Sequence, residues 1–175
     1  MNPISLRELH LAGQRAIVTG ANSGIGEGVV RGLAEAGVAV AINYVAGDDK
    51  ARAIADDIRR GGGKSIMVKA DESKEVEVKA MFAHVIDAFG SVDILVNNAG
   101  LQQDAAFHEM SLQQWEKVIA VDLTGQFLCA REAVREFMHR GVVPELSRAA
   151  GKIVCVSSVH DVIPWAGHAN YAASK

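Results

Sequence analysis

The sequence predicts an α/β fold, a doubly wound parallel sheet with helices on both faces. Three observations carry that expectation. Short apolar runs rich in β-branched residues alternate with longer runs of helical periodicity along the chain. No internal repeat or linker interrupts the alternation. Several apolar runs end in small or polar residues that suit a ligand: Gly20–Gly26, Asp71, Asn97–Gly100 and Ser157–Ser158. Alternation of this kind requires right-handed crossovers between parallel strands, and ligands on such sheets lie beyond the carboxyl ends of the strands.

In order, residues 1–11 read as a lead-in in which Leu6, Leu9 and Leu11 serve as weak anchors, and residues 12–175 as one dinucleotide-binding domain. Arg15–Thr19 is the first strand, and Glu27–Ala36 the first helix, closed by Gly37. Val38–Tyr44 is apolar enough to be a strand buried on both faces. Asp48–Arg60 follows as a helix with Ile54 and Ile58 on one side, stopped by Gly61-Gly62-Gly63. Ser65–Ala70 is the third strand. Glu75–Phe89 places Val78, Met81, Phe82, Val85 and Ile86 at helical spacing, and Val92–Val96 is the fourth strand. Ser111 with Gln114 forms a capping box that opens one long helix to about His139. Gly141–Gly151 is a loop, Lys152–Ser157 the fifth strand, and a Pro-containing loop leads to Tyr171-Ala172-Ala173-Ser174-Lys175.

The 175 residues suit a single core, with 49% hydrophobic side chains. A net charge of −3, from 18 basic and 21 acidic residues, argues against nucleic acid or an anionic membrane as partner. No apolar run is long enough to span a bilayer, and the N-terminus lacks the layout of a signal peptide, which predicts a cytoplasmic protein. Cys129 and Cys155 lie in apolar segments without metal-ligand spacing and are expected to be buried free thiols.

The segment Gly20-Ala21-Asn22-Ser23-Gly24-Ile25-Gly26 carries the chemistry of phosphate binding. Glycines let the backbone turn tightly and let an anion approach the main chain, while the unpaired N–H groups that open the next helix attract it. The spacing is G-x-x-x-G-x-G, not the common G-x-G-x-x-G.

Together these residues resemble the short-chain dehydrogenase/reductase family, whose fold is Rossmann-like. Thr19-Gly20-x-x-x-Gly24-x-Gly26 matches its cofactor turn and Asn97-Asn98-Ala99-Gly100 its fourth-strand motif. Ser158, thirteen residues before Tyr171, and Tyr171-x-x-x-Lys175 match its catalytic serine and its Tyr–Lys pair. Within the family, His108–Leu112, Leu123-Thr124-Gly125, Ser157-Ser158-Val159-His160 and Ile163-Pro164-Trp165 resemble bacterial glucose 1-dehydrogenases, although Gln102 stands where that pattern has an acid.

The resemblance implies a hydride transfer between NAD or NADP and a small alcohol, sugar or carbonyl compound, with glucose oxidised to gluconolactone as the specific expectation. A free phenol ionises at a pH of about 10, and a neighbouring ammonium favours the phenolate. Tyr171, four residues from Lys175 and on the same helical face, is thus the expected base. Ser158 is expected to bind the reacting oxygen, and His160 to border the substrate. Asp122 occupies the position of the family's catalytic asparagine; it keeps the acceptors but loses the amide donor. The expected cofactor residues are Gly20, Asn22, Ser23, Gly24, Ile25, Gly26, Asn43, Tyr44, Asp71, Glu72, Asn98, Ala99, Gly100, Tyr171 and Lys175. Asp71 matches the residue that accepts from the adenine amino group. No acid stands at Asn43-Tyr44-Val45 to repel a 2′-phosphate, and no base at Asn22, Ser23 or Val45 to bind one.

Family members continue beyond the residue matching Lys175, so the sheet is expected to be truncated after the fifth strand and the start of the next helix. That leaves an exposed edge and a Tyr171–Lys175 pair on a frayed, unpacked turn. A homo-oligomer is expected for the full-length family. Two alternatives remain at this point: a catalytically inactive nucleotide-binding module, and a carbonyl or 3-oxoacyl reductase of the same family.

Overall fold

A computed structural model describes residues 10–175. The proposed anchors Leu6 and Leu9 lie outside the described residues; Leu11 packs partly buried against the core. Five strands, β1 (Arg15–Val18), β2 (Ala39–Tyr44), β3 (Ser65–Lys69), β4 (Ile94–Asn97) and β5 (Lys152–Cys155), form one parallel sheet in the order β3-β2-β1-β4-β5. Helices α1 (Gly24–Glu35), α2 (Asp48–Arg60) and α3 (Glu75–Phe89) follow the first three strands. The chain steps outward from β1 through β2 to β3, then returns to the other side of β1 for β4. The crevice at that reversal is where a ligand fits a sheet of this kind.

Strand periodicity divides the core between the two faces. Ala16, Val18, Val40, Ile42, Ile94 and Val96 point to one side and meet Val30 of α1 and Ala51, Ile54, Ala55 and Ile58 of α2. Ile17, Ala41 and Leu95 point to the other, against Val78, Met81, Phe82 and Val85 of α3. Leu128, Cys129, Ala133 and Phe137 complete that second layer.

The structure corrects the expected elements in three places. First, α1 begins at Gly24 and not at Glu27, so the last two glycines of the turn lie inside its first turn. Second, the expected single helix from Ser111 is interrupted. The Ser111–Gln114 capping box is present and opens α4 (Leu112–Ile119), but Ala120–Gly125 forms a π-helical segment before α5 (Gln126–Arg140) begins. The wider turn frees the Asp122 carbonyl, which accepts from Gln126 Nε2 at 2.8 Å. It also brings Gly125 against Glu72, where a Cβ would lie 2.9 Å from the Glu72 Cγ. Third, only Cys129 is buried; Cys155 is exposed. β5 is an edge strand, and Ile153, Val154 and Cys155 are left exposed on it.

The two thiols should therefore react differently. Burial, with Glu72 and Glu132 nearby, pushes the Cys129 thiol up to about 12, so almost none is thiolate at neutral pH. A disulfide reagent should label one thiol per chain under native conditions, and mass mapping should place it on Cys155. Labelling of the second should require unfolding.

Candidate active site

The glycine turn after β1 is built by close approach. Gly20 has φ +58°, and a Cβ there would come within 2.9 Å of the Ala99 Cα; one on Gly26 would lie 2.4 Å from the Gly20 carbonyl oxygen and 2.6 Å from Asn98 Nδ2. Neither position admits a side chain without moving backbone. Thr19 Oγ1 accepts from the N–H groups of Asn98 and Ala99, each at 3.0 Å, and Asn98 Nδ2 donates to the carbonyls of Thr19 and Gly20. The β1 and β4 ends are thus locked to one another. Gly24, at φ +54°, has open space where its side chain would be. A phosphate can reach the main chain there.

A cleft of about 500 Å³ opens over this turn. Asn22, Ser23, Gly24 and Ile25 line one wall, Asp71 and Glu72 the end of β3, and Asn98, Ala99 and Gly100 the end of β4. Gly26 lies behind the turn, where its missing Cβ admits Gly20 and Asn98. Asn22 Nδ2 donates to the Ala46 carbonyl at 2.6 Å and fixes the wall to the β2 end. Asp71 accepts from the N–H and hydroxyl of Ser73. Burial pushes the Asp71 carboxyl up, but those two bonds, with Lys117 and Lys74 nearby, hold it below its ordinary value. A larger hollow of about 1230 Å³ lies at the opposite end of the sheet, by the amino ends of β1, β2 and β3. Its arginines are committed to carboxylates: Arg15 to Asp93, Arg31 to Glu27 and Asp57, Arg59 to Asp56.

Asn43 and Tyr44 are buried behind the wall of the cleft. They do not line the cleft; Val45 and Ala46 do. The Asn43 side chain is fully buried, donating to the carbonyls of Val68 and Ala70 and accepting from the Gly20 N–H at 3.3 Å. It braces the turn from below. Tyr44 is buried on the α1/α2 face, its hydroxyl 3.5 Å from Asp48 Oδ2. Strand alternation sends the two side chains to opposite faces of the sheet, both covered by helices, and the residues past the strand end reach the cleft. Lys117 of α4 was not anticipated. It lines the cleft beside Val121, four residues on, a spacing that could have pointed to it.

A second group of residues gathers between β5 and the end of the chain, and its Lys175 reaches Gly100. A 3₁₀ turn (Val159–Asp161) and a short helix, α6 (Ala169–Ser174), carry them. Ser158 caps the 3₁₀ turn, its Oγ accepting from the His160 N–H at 3.2 Å. The His160 ring stacks on His168 with centroids 5.3 Å apart and meets Trp165 and Tyr171 edge-on at 4.6 and 6.1 Å. Its Nδ1 lies 3.1 Å from the Ile163 carbonyl, and His168 Nδ1 lies 2.9 Å from Asp104 Oδ1. His168 is therefore part of the aromatic cluster with His160, which meets Tyr171.

Lys175 Nζ stands 5.4 Å from the centre of the Tyr171 ring and 3.5 Å from Asp122 Oδ2. A Cβ on Gly100 would fall 2.9 Å from that oxygen and 3.2 Å from the ammonium. Gly100 thus borders both the cleft and the lysine. The expected fraying of this segment is also corrected. Asn170, fully buried, donates to the carbonyls of Gln103 and Gln114 at 2.9 and 3.2 Å and pins α6 to α4. Side-chain hydrogen bonds hold a helix too short to be stable alone.

The model of the short chain dehydrogenase family matches residues 14–175. Among curated proteins, the chain is 38% identical over 165 residues to 3beta-hydroxysteroid dehydrogenase 1 of Eggerthella lenta, covering 94% of this chain and 60% of that protein. It is 39% identical over 161 residues to the 3-oxoacyl-acyl-carrier-protein reductase FabG of Staphylococcus epidermidis, covering 91% of this chain and 62% of that one. Among solved structures, a dehydrogenase/reductase from Sinorhizobium meliloti superposes with a TM-score of 0.86 at 32% identity, over 97% of this chain and 64% of the other. A double mutant of a Serratia marcescens short-chain dehydrogenase/reductase gives 0.85 at 33% identity, over 94% and 64%. The chain spans about three fifths of the length of these curated relatives. Among the described residues, no helix is long and apolar enough to cross a membrane. With its parallel sheet, glycine turn and Tyr–Lys pair in that order, the chain belongs to the short-chain dehydrogenase family.

Proposed function

We propose that residues 12–175 form the cofactor domain and carry the catalytic residues of an NAD(P)-dependent oxidoreductase that interconverts an alcohol and a carbonyl compound. The observation that supports this reading best is the position of Gly100, which borders the glycine-lined cleft on one side and Lys175, beside Tyr171, on the other. The open main chain at Gly24 and the N–H groups opening α1 fit a pyrophosphate; Asp71 is a suitable acceptor for the adenine amino group. A bound nicotinamide nucleotide would supply the hydride acceptor. Tyr171 takes the hydroxyl proton of the alcohol, Ser158 holds the same oxygen, and Lys175 keeps a positive charge beside the phenol. Asn43 and Tyr44 support the site without touching the cofactor.

For the substrate, the sequence segments around His108, Leu123 and His160 favour a sugar, with glucose going to gluconolactone. The names of the two curated relatives favour instead a secondary alcohol and its ketone, as a carbonyl or 3-oxoacyl reductase would use. The assay is cofactor reduction with glucose or a hydroxysteroid, and cofactor oxidation with a 3-oxoacyl thioester. It is run on this chain and on one extended to the length of its relatives. Turnover with glucose alone supports the sugar reading, and turnover with the other two excludes it. Nucleotide binding with no turnover in either chain overturns the sugar reading and leaves a binding module or another substrate.

Cofactor choice has its own test. Val45 and Ala46, which close the cleft at the β2 end, bring neither a carboxylate nor a cation to the ribose. NAD and NADP should therefore bind within about a hundredfold of each other, about 2.7 kcal/mol. Fluorescence titration with the two reduced cofactors checks this, and a larger ratio overturns it.

A further inference from the structure

Lys175 does not face Tyr171 alone. Its side chain is only 4% exposed, and Asp122, 3.5 Å away, is completely buried. Asp122 Oδ1 accepts from the Leu101 N–H at 2.9 Å, while Oδ2 has no hydrogen-bond partner among the described residues and looks toward the ammonium. The pair fits because residue 100 is glycine; any Cβ there would press on both the carboxylate and the lysine. Burial pushes the Asp122 carboxyl up, against the pull of the Leu101 N–H and Lys175. Around this pair stand Glu72, from the loop before α3, which feels the Asp122 charge, and Lys117 of α4, which faces Asp71 and Glu72. Of these, Lys175 alone contacts Asp122 through a charged atom.

We propose that Asp122 is a positioning residue that anchors Lys175 beside Tyr171 and offsets its charge, so that Tyr171 keeps its proton to higher pH than a neutral residue at 122 would allow. The inference rests on the reading of Tyr171 as base. An isolated ammonium attracts a developing phenolate as a monopole, whereas an ammonium paired with a carboxylate acts as a dipole whose field falls faster with distance. Asp122 thus trades rate near neutrality for a firmly held lysine, and moves the working range of the enzyme toward alkaline pH.

Asp122→Asn keeps the shape and can keep the acceptor for Leu101 while removing the charge. In the chain extended to the length of its relatives, the acid limb of the kcat/KM profile for alcohol oxidation should move to lower pH, by about tenfold in proton concentration. A merely structural role for Asp122 would lower activity at every pH and leave the limb where it is. An unmoved limb, or one displaced to higher pH, overturns the inference. Absence of turnover in the parent protein would instead count against the proposed function. In that case the ultraviolet absorbance of the phenolate, taken as the difference from Tyr171→Phe, still decides: it should appear at lower pH in Asp122→Asn than in the parent. Asp122→Ser, smaller and also neutral, should shift it in the same direction if the asparagine variant fails to fold.

Discussion

Asp93→Ala should lower the unfolding free energy by about 3–5 kcal/mol, the cost of leaving buried charges without their partner. Asp93 is 2% exposed at the start of β4, at the end of the sheet opposite the cleft. One carboxylate oxygen accepts from the Arg15 N–H at 2.8 Å and from Arg15 Nε at 2.5 Å. The other accepts from Arg15 Nη2 at 3.1 Å and lies 2.9 Å from Arg140 Nη2. These contacts tie the first residue of β1 and the last of α5 to β4, and the Asp93 carbonyl accepts from Lys152 N–H of β5. Both guanidinium side chains are mostly buried, at 18% and 14% exposure, so neither can recover its lost partner in water. Asp93→Asn, which retains one acceptor and the shape, should cost less than half as much. Urea unfolding followed by fluorescence of Trp115 and Trp165 measures both. An alanine variant within about 1 kcal/mol of the parent would show that the network contributes little beyond its own desolvation. Nucleotide affinity should be unchanged in either variant.

Glu72→Gln should stabilise the protein at pH 8 by about 3 kcal/mol, and not at all near pH 4.5. Glu72 is 5% exposed, between the β3 end and the π segment, and its Oε2 has no hydrogen-bond partner among the described residues. Burial pushes its carboxyl from an ordinary value of 4.5 up to about 7, with Asp71 and Asp122 adding to the rise and Lys117 opposing it. A raised acid holds its proton in the fold at pH values where the unfolded chain has lost it. The parent's stability should therefore fall as pH rises from about 4.5 to 7 and level off above. Glutamine carries no proton to lose, so the variant should show a flatter dependence across that window. Denaturant midpoints from pH 4.5 to 8 provide the measurement. A gap between the two proteins that does not change with pH would mean that Glu72 is already ionised in the fold. Because Glu72 also lines the cleft, a nucleotide that needs the neutral carboxyl would bind more weakly above pH 7 in the parent and not in the variant.

Much of this protein was legible in the residues themselves, because the signals are local. Strand and helix alternation, the glycine turn, the Ser111–Gln114 cap and the four-residue spacing of Tyr171 and Lys175 all report on backbone geometry within a few residues. They led to the α/β sheet, the family and the end of the sheet at which the site lies. Side-chain direction at the cleft was not legible, since it depends on which neighbour covers each strand end. Asn43 and Tyr44 sit at the correct end of β2 yet turn inward to the β3 carbonyls and the α1/α2 face, while Lys117, distant in sequence, comes to the cleft wall. The π segment was also hidden: Ala120–Gly125 continues the helical pattern, and the contacts that accompany its extra residue, Glu72 against Gly125 and Gln126 Nε2 on the Asp122 carbonyl, are tertiary or specific to the wider turn. Burial of Cys129 and exposure of Cys155 divide the same way: Cys129 lies on the side of α5 that meets the core, and Cys155 on the edge strand. The sequence by itself determined the order of elements and the chemistry available at their ends. Only the tertiary structure decided which of those groups meet, because the Asp122–Lys175 contact, the Glu72 burial and the Asn170 anchor are each made between segments tens of residues apart.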